Sequence, residues 1–250
     1  MSEPDRLRAV IVDDEPPALA LLREYLAELG GVEVVAECGN GFAAVAAVSE
    51  HDPDLLLLDI QMPQLSGFEV LEALDREVAT VFITAYDEHA VRAFEVHAVD
   101  YLLKPFGVER LGLAVSRSRT RIGRGPAVAP AVLTAAARPP GTPLARIVVR
   151  EGAKVVVVPA ADIDWVEAAD DYVVLHVAGK AHRKQQTLAG LETQLDPRSF
   201  VRAHRSILLN VARVSAFEQY AKDSRVAVLA DGTRLPVSRG GYARLRHLLG

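Results

Sequence analysis

The sequence predicts two folds in succession: a doubly wound α/β domain with a five-stranded parallel sheet, and then a mainly β domain. In the front half, five short apolar runs alternate with segments that repeat apolar residues at helical spacing. From residue 144 onward, short strands follow one another with few helical patterns between them. Alternating strands and helices favour a parallel sheet covered by helices on both faces, whereas successive strands favour antiparallel pairing.

The clearest strand of the front half is the run LLLL at 55–58, between Pro53 and Pro63. An unbroken apolar run of this length is typical of a strand that is buried on both faces. The complete pattern predicts strands over residues 9–12, 32–36, 55–58, 80–84 and 99–103, and helices over residues 18–29, 41–49, 68–74, 88–96 and 108–119.

Polar residues lie at the ends of four of these strands: Asp13 and Asp14, then Asp59, Thr84 and Lys104. Each alone also suits an ordinary strand end, but parallel strands with right-handed crossovers bring all their carboxyl ends to one sheet edge. Three carboxylates at one edge repel unless a cation joins them, and oxygen ligands in a partly open site suit Mg²⁺. A lysine and a hydroxyl beside them can clamp a phosphoryl group, so the set predicts an aspartyl-phosphate on Asp59.

The polar residues at the strand ends belong to four motifs: VDDE at 12–15, LLDIQMP at 57–63, FITAY at 82–86 and DYLLKPF at 100–106. Through these motifs the front half resembles the receiver domain of bacterial two-component response regulators, which has a flavodoxin-like fold. The resemblance implies that Asp59 accepts phosphate from a sensor histidine kinase. It also implies that Mg²⁺ is held by Asp13, Asp14, Asp59 and the backbone carbonyl of Gln61.

The same resemblance assigns a switch to the receiver. It implies that Thr84 moves towards the phosphate and that Tyr101 turns inward behind it, while Lys104 faces the phosphoryl group. It further implies a cis peptide bond between Lys104 and Pro105.

Charge divides the chain unevenly. Residues 1–117 hold 8 Lys and Arg against 22 Asp and Glu, whereas residues 144–250 hold 16 against 11. An acidic front half and a basic rear half indicate different partners, with a polyanion suited to the second. The stretch between them is rich in Pro, Gly and Ala. We expect a receiver domain over residues 1–121, a linker over residues 122–143 and a second domain over residues 144–250.

Composition narrows the class of protein further. No apolar run approaches the roughly 20 residues that span a membrane, and the start of the chain lacks the apolar core of a signal peptide. Cys38 is the only cysteine, which excludes an intrachain disulfide and a cysteine cluster for zinc. We therefore expect a cytoplasmic protein with no membrane partner.

The rear half predicts a hairpin over residues 146–159, followed by strands at 163–168, 172–177 and 181–186. A helix is expected over residues 187–195, with Thr187 as its cap. The segment FVRAHRSILLN at 200–210 follows, then strands at 211–217 and 225–229, a turn at Asp231 and Gly232, the segment TRLPVS and a final helix.

No enzyme site is predicted in this half. Ser206 lies close to His204 in sequence, but adjacency does not make a nucleophile and its base, and no glycine-rich elbow accompanies the pair. Instead, basic and polar residues interrupt the apolar strands and suit contacts with DNA phosphates and guanine edges. These candidate DNA contacts are Arg183, Lys184, His204, Arg205, Lys222, Ser238 and Arg239.

Four segments of the rear half are distinctive: DIDWVEAADDYVVLH, RKQQTLAGLETQL, FVRAHRSILLNVARV and LPVSRGGYARL. Through these segments residues 144–250 resemble the LytTR DNA-binding domain. The resemblance implies an elongated β fold that lays loops into successive major grooves, with Arg205 and Arg239 reading bases. A third reading position falls at 170–172, where two aspartates would repel phosphates. Gly240 and Gly241 replace bulkier residues, so we expect the final helix to start late or to pack loosely.

A receiver followed by this domain is typical of the LytR/AlgR type of response regulator. We therefore expect a phosphorylation-dependent transcription regulator, not an enzyme, that binds double-stranded DNA and forms a homodimer when phosphorylated. The alternative is a rear half that serves as a protein-interaction module. A receiver that works without phosphate is a third reading, against which the complete set of site residues argues.

Overall fold

The computed structural model describes residues 6–74, 76–85, 98–122, 143–152, 154–221 and 224–249. The chain divides into two compact units, residues 1–138 and 139–250. The predicted helix at 88–96, nearly all of the predicted linker and Lys222 lie outside the described residues. None of the described helices combines the length and the apolar character needed to cross a bilayer.

The first unit contains the predicted five-stranded parallel sheet. Its strands are β1 (Leu7–Val12), β2 (Val32–Cys38), β3 (Leu55–Leu58), β4 (Ala79–Thr84) and β5 (Asp100–Leu103), in the spatial order β2-β1-β3-β4-β5. Its helices are α1 (Pro16–Leu29), α2 (Gly41–His51), α3 (Gly67–Ala73) and α4 (Val108–Ile122). The doubly wound α/β prediction is confirmed.

Burial explains why the sheet forms where the sequence predicts it. All four leucines of β3 are fully buried, as a strand covered on both faces requires. Helix α2 begins at a cap, because the side chain of Asn40 accepts a hydrogen bond from the backbone N–H of Ala43 at 2.9 Å. Helix α3 begins at a reciprocal capping box between Ser66 and Glu69. These caps set where the chain turns after each strand end.

Gly67 lets α3 start directly against the end of β3. A Cβ at this position would lie 2.4 Å from the backbone oxygen of Asp59, closer than any side chain can sit. The backbone N–H of Gly67 also donates to the carbonyl of Ile60 at 2.9 Å. The loop that follows Asp59 is therefore held by backbone contacts that only glycine permits.

The second unit is mainly β, as predicted. A hairpin of β6 (Arg146–Glu151) and β7 (Lys154–Pro159) precedes a five-stranded antiparallel sheet and a three-stranded one. The larger sheet has the order β10-β9-β8-β12-β11, formed by β8 (Trp165–Ala169), β9 (Tyr172–Val177), β10 (Lys180–Gln185), β11 (Phe200–His204) and β12 (Ile207–Asn210). The smaller one has the order β13-β14-β15, formed by β13 (Val214–Ala221), β14 (Ser224–Leu229) and β15 (Arg234–Val237).

Each face of the five-stranded sheet carries its own apolar cluster. One cluster joins the sheet to the β6–β7 hairpin and to the short helix α5 (Leu188–Glu192), which Thr187 caps as expected. The other joins β11 and β12 to the three-stranded sheet and to α6 (Arg239–Leu249). The second cluster covers the β11 side of its face, and the part of that face formed by β9 and β10 contributes no residue to it.

The expectation of a late or loosely packed final helix is wrong. Helix α6 begins at Arg239, includes both glycines and lies against β11. A Cβ at Gly241 would lie 2.0 Å from the carbonyl oxygen of Ala203, whereas one at Gly240 would meet nothing closer than 3.9 Å. The glycine at 241 therefore allows a closer approach of the helix to the strand, because no side chain separates the two backbones.

The segment at 200–210 folds as a hairpin rather than as one strand. Strand β11 ends at His204, β12 begins at Ile207, and the two pair in antiparallel order. The hydroxyl of Ser206 lies 2.9 Å from Nδ1 of His204 and closes the turn. This short polar link between apolar strands is the local reason why the chain reverses there.

Candidate functional site

The ends of β1 and β3 bring three aspartates together. Asp13 and Asp14 follow β1, Asp59 follows β3, and one carboxylate oxygen from each lies within 4.8 Å of the others. Asp13 and Asp59 are buried, whereas Asp14 is exposed. Two buried carboxylates beside an open third form a strongly negative pocket with access from solvent.

Lys104 supplies the counter-charge from the end of β5. Its Nζ lies 2.5 Å from Oδ2 of Asp13 and 3.4 Å from Oδ2 of Asp59. The backbone N–H of Lys104 donates to the carbonyl of Thr84 at 2.8 Å, and the bond to Pro105 is cis, as the resemblance implies. Residues 91 positions apart in sequence thus form a direct ion pair.

Burial and charge shift the titration of this site in defined directions. Burial raises the pKa of Asp59 and the charge of Asp13 raises it further, although Lys104 and the backbone N–H groups of Gln61 and Ile60 act in the opposite direction. Burial alone would lower the pKa of Lys104, but its hydrogen bond to Asp13 and the nearby carboxylates raise it. The ammonium of Lys104 therefore stays charged. Because one ammonium faces three carboxylates, a further cation would reduce the repulsion between them.

Thr84 ends β4 beside this pocket. Its side chain is fully buried, and among the described residues its hydroxyl has no hydrogen-bond partner. The register of β4 and β5 sets Tyr101 opposite Phe82, so Tyr101 and Thr84 lie on the same face of neighbouring strands. A buried hydroxyl without a partner is unfavourable, and it can be satisfied by an acceptor that enters the pocket.

Asp100 is a charged residue of the first unit that sequence reasoning missed. Its carboxylate accepts two hydrogen bonds from Arg110 and one from Arg117, each at 2.8 Å, and one from its neighbour's backbone N–H. Burial would raise the pKa of Asp100, but the hydrogen bond from Arg110 and the charges of both arginines lower it overall. An acid inside a short apolar strand was the available signal, and the network ties β5 to α4.

In the second unit, the candidate DNA residues gather towards one end of the five-stranded sheet. This end, which we call the turn rim, consists of the β8–β9 turn at 170–171, the β11–β12 turn at 205–206 and Gln185 at the end of β10. The strand register sets these three points side by side, and the backbone N–H of Ala168 donates to the carbonyl of Ser206 at 2.9 Å. The acidic and basic turns of the predicted interface are therefore neighbours.

The start of α6 is attached to this rim. The backbone N–H and the hydroxyl of Ser238 both donate to the carbonyl of Ala203, at 2.9 and 3.0 Å. Arg239 follows directly, so the structure brings His204, Arg205, Ser238 and Arg239 together. Arg205 and Arg239 are exposed.

Two further candidates lie on a strand, just behind the rim. Arg183 and Lys184 belong to β10, the strand at the opposite edge of the sheet from β11. Arg183 is exposed, whereas Lys184 is partly buried and its Nζ donates to the carbonyl of Val148 at 2.7 Å. Lys184 thus makes a contact that joins β10 to the β6 hairpin.

Two arginines that were not among the candidates support the basic turn. Arg202 donates to the carbonyl oxygens of His204 and Arg205 and pairs with Glu192 at 3.0 Å. Arg244 of α6 donates to the carbonyl of Arg202 at 2.6 Å. No spacing in the sequence links residues 202 and 244, because strand and helix meet only in the folded domain.

Comparisons with known proteins divide the chain in the same way. The family model of the response regulator receiver domain matches residues 9–116, and that of the LytTr DNA-binding domain matches residues 153–250. The transcriptional regulatory protein BtsR of Escherichia coli is 35% identical over 247 residues, covering 98% of this chain and 99% of the relative. An uncharacterized response regulatory protein of Vibrio cholerae is 36% identical over 259 residues, with 96% of each chain covered.

Solved structures resemble the separate parts. The response regulatory domain of protein mrkE from Klebsiella pneumoniae is 30% identical, with a TM-score of 0.44, over 48% of this chain and 100% of that domain. A LytTr DNA-binding domain from Bacillus cereus is 24% identical, with a TM-score of 0.40, over 43% of this chain and 98% of that one.

Proposed function

The chain belongs to the response regulators that join a receiver domain to a LytTR DNA-binding domain, and from this premise we propose that phosphorylation of Asp59 controls its binding to DNA. The phosphoryl donor is a sensor histidine kinase, and the output is regulation of transcription. We retain the domain limits expected from the sequence: residues 1–121 for the receiver and residues 144–250 for the DNA-binding domain.

The observation that carries the proposal is the meeting of Asp13, Asp59 and Lys104 at one edge of the parallel sheet. A carboxylate oxygen of Asp59 attacks phosphorus, and the bond between phosphorus and the donor histidine nitrogen breaks. Lys104 then neutralises charge on the phosphoryl oxygens from one side. The hydroxyl of Thr84, which is buried and has no partner among the described residues, donates to a phosphoryl oxygen from another side.

The donor set fits Mg²⁺. Carboxylates of Asp13, Asp14 and Asp59 offer oxygen atoms from one small region, and the carbonyl of Gln61 completes the proposed protein ligands. When bound, Mg²⁺ neutralises the charge that builds up as the phosphoryl group is transferred. The exposure of Asp14 leaves the pocket open to water and to a phosphate oxygen, as Mg²⁺ sites of this kind require.

Phosphorylation changes the surface of the receiver through its charge. The phosphoryl group adds nearly two negative charges at pH 7 and draws Lys104 and Thr84 towards it. Tyr101 turns inward on the face that it shares with Thr84, and β5 then presents a different outer surface. This change favours a homodimer, and two linked DNA-binding domains gain occupancy on paired sites through effective concentration.

The β11–β12 turn of the rim and the start of α6 make the contacts with DNA. Arg205 and Arg239 read base edges in the major groove, with His204 and Ser238 beside them, and Arg183 reaches DNA from β10. Lys222 keeps the DNA-binding role proposed from the sequence, and Lys184 adds positive charge at the same edge as Arg183. The carboxylates at 170–171 keep open the alternative that the second unit binds a protein.

A DNA-binding titration with and without a small phosphodonor tests this function. The wild type should bind a duplex selected from a random pool more tightly after treatment with acetyl phosphate, and Asp59→Asn should lose that stimulation because it cannot form the acyl phosphate. Glu33→Gln removes one exposed carboxylate of the same unit and should behave as the wild type. Stimulation that persists in Asp59→Asn would refute the route, and affinity that does not fall steeply with salt would favour a protein partner instead.

A further inference from the structure

Like Arg225, which lies over the Tyr242 ring, Arg183 places its guanidinium over a tyrosine of the second unit. Its guanidinium carbon lies 4.9 Å from the centre of the Tyr172 ring, within the range of a cation–π contact. Tyr172 is itself 38% exposed, and Arg183 is exposed as well. An aromatic ring on the surface therefore holds an arginine whose charge faces solvent.

No ion pair or hydrogen bond within the described residues occupies the guanidinium of Arg183. Three other arginines of this unit form ion pairs: Arg202 with Glu192, Arg213 with Asp164 and Arg234 with Glu218. The planar fork of Arg183 thus keeps its donors available while the ring restricts its motion. Holding a free arginine in one orientation lowers the entropy lost when it binds an anion.

The strand register puts this pair beside the turn rim. Tyr172 is the first residue of β9, directly after the β8–β9 turn, and it pairs with Gln185 at the end of β10. Arg183 pairs with Val174, two residues further along, and so lies about 7 Å back from the rim. If the turns of the rim reach the base edges at the floor of a DNA groove, a side chain set back by this distance lies near the phosphates at the groove's edge.

The turn next to this pair carries two negative charges. Asp170 and Asp171 form the tip of the β8–β9 turn, and both are without a cationic partner among the described residues. Two carboxylates at the rim repel a DNA strand that passes close to them. A fixed positive charge behind the turn offsets that repulsion and lets this side of the rim approach the duplex.

We propose that Tyr172 is a positioning residue that holds the guanidinium of Arg183 for contact with a phosphate of the DNA backbone. The inference rests on the proposed function, since it assumes that the turn rim faces DNA. The contact made by Arg183 contributes charge and orients the domain on DNA, whereas Arg205 and Arg239 read the bases.

The test measures affinity of the full chain, treated with acetyl phosphate, for a duplex selected from a random pool, between about 50 and 200 mM salt. Arg183→Ala should weaken binding about tenfold and make the dependence of affinity on salt shallower by about 0.9 in log–log slope. Tyr172→Ala should weaken binding about threefold by releasing the guanidinium. Tyr172→Phe keeps the ring and should restore affinity to within about twofold of the wild type.

Two controls separate positioning from structure and from overall charge. In the Arg183→Ala background, Tyr172→Ala should produce no further loss, because Tyr172 acts through that arginine. Lys180→Ala removes an exposed charge from the opposite end of β10 and should leave affinity nearly unchanged.

Additive losses in the double variant, or a Tyr172→Phe variant as weak as Tyr172→Ala, would overturn the positioning role. If Arg205→Ala weakens binding and neither Tyr172 nor Arg183 variants do, this inference fails and the proposed function stands. A wild type that binds no DNA overturns both.

Discussion

The receiver pocket and the turn rim differ in whether their charged side chains are buried and paired. At the receiver pocket, Asp13, Asp59 and Lys104 are largely buried, and both carboxylates pair with the ammonium of Lys104. At the turn rim and just behind it, Arg205 and Arg183 are exposed and have no ion pair within the described residues. Buried charges must be paired to be tolerated, so their positions are fixed by the fold, whereas exposed charges stay free to meet a partner.

Substitutions in the two regions should therefore have different consequences. Changes at or near buried charges and close backbone contacts should alter stability as well as function. Changes at the exposed arginines should alter affinity and leave stability unchanged. Substitutions in both units test whether stability and function respond separately.

The largest effect is expected at the contact between α6 and β11. Gly241→Ala should lower the free energy of unfolding of the second unit by about 3 kcal/mol, because the new Cβ meets the carbonyl of Ala203 and the helix must move away. Gly240→Ala is the matched control, since it lies in the same helix with open space around it, and should be neutral or slightly stabilising. Chemical denaturation of both variants measures this difference, and equal stabilities would show that the helix is not held closely.

The next effect concerns the buried acid of β5. Asp100→Asn should lower stability by about 2 kcal/mol, a value below that of a fully buried pair because Arg110 and Arg117 are partly exposed. Since the folded-state pKa of Asp100 is below its unfolded value, its contribution is present above about pH 4 and is lost as the pH falls through the folded pKa.

Acid unfolding provides the check for Asp100. Between neutral pH and the acid limb, the wild type should lose more stability than Asp100→Asn, so the two curves should converge at low pH. Curves that stay parallel would indicate that the carboxylate of Asp100 is not stabilised by its arginines.

At the rim, function and stability should separate. Arg205→Ala should weaken binding to the selected duplex by about 1.5 kcal/mol, with less loss on random DNA, because a base contact is specific to sequence. Its unfolding midpoint should match that of the wild type, since the side chain of Arg205 is exposed. An equal loss on both duplexes would reassign the residue to phosphate contact, and a lowered midpoint would break the contrast between the two regions.

The smallest change in stability is expected at Thr84. Thr84→Val keeps the shape of the side chain and removes a hydroxyl that has no partner among the described residues, so stability should stay within about 0.5 kcal/mol or rise. Stimulation of DNA binding by acetyl phosphate should nevertheless decline, because the phosphoryl group loses a donor. Unfolding curves and DNA titrations of one protein preparation test both parts, and a full response to phosphodonor would contradict the role of Thr84.

The receiver pocket was predictable because its sheet is parallel. Every strand of such a sheet ends at the same edge, so the residue after each apolar run belongs to one site regardless of the strand order. Asp13, Asp59 and Lys104 could therefore be grouped from the printed sequence alone. The network around Asp100 was not found, because its arginines lie on a helix whose rotation about its axis depends on packing against the sheet.

The antiparallel domain was less predictable for a related reason. Its turns alternate between two ends of the sheet, and its strand order does not follow the sequence, so β10 and β11 occupy opposite edges although a single short helix separates them. Sequence patterns located the strands and the basic residues. They did not reveal that Lys184 joins two sheets or that residues 202 and 244 meet.

Local apolar patterns and chain direction are enough to predict the two fold types, the strand ends that carry the carboxylates and the basic character of the rear half. The folded chain was needed to show which strands are neighbours, how closely α6 approaches β11 and which ring lies beside Arg183. Those features depend on contacts between residues distant in sequence, and such contacts are selected by packing and by the pairing of charges removed from water.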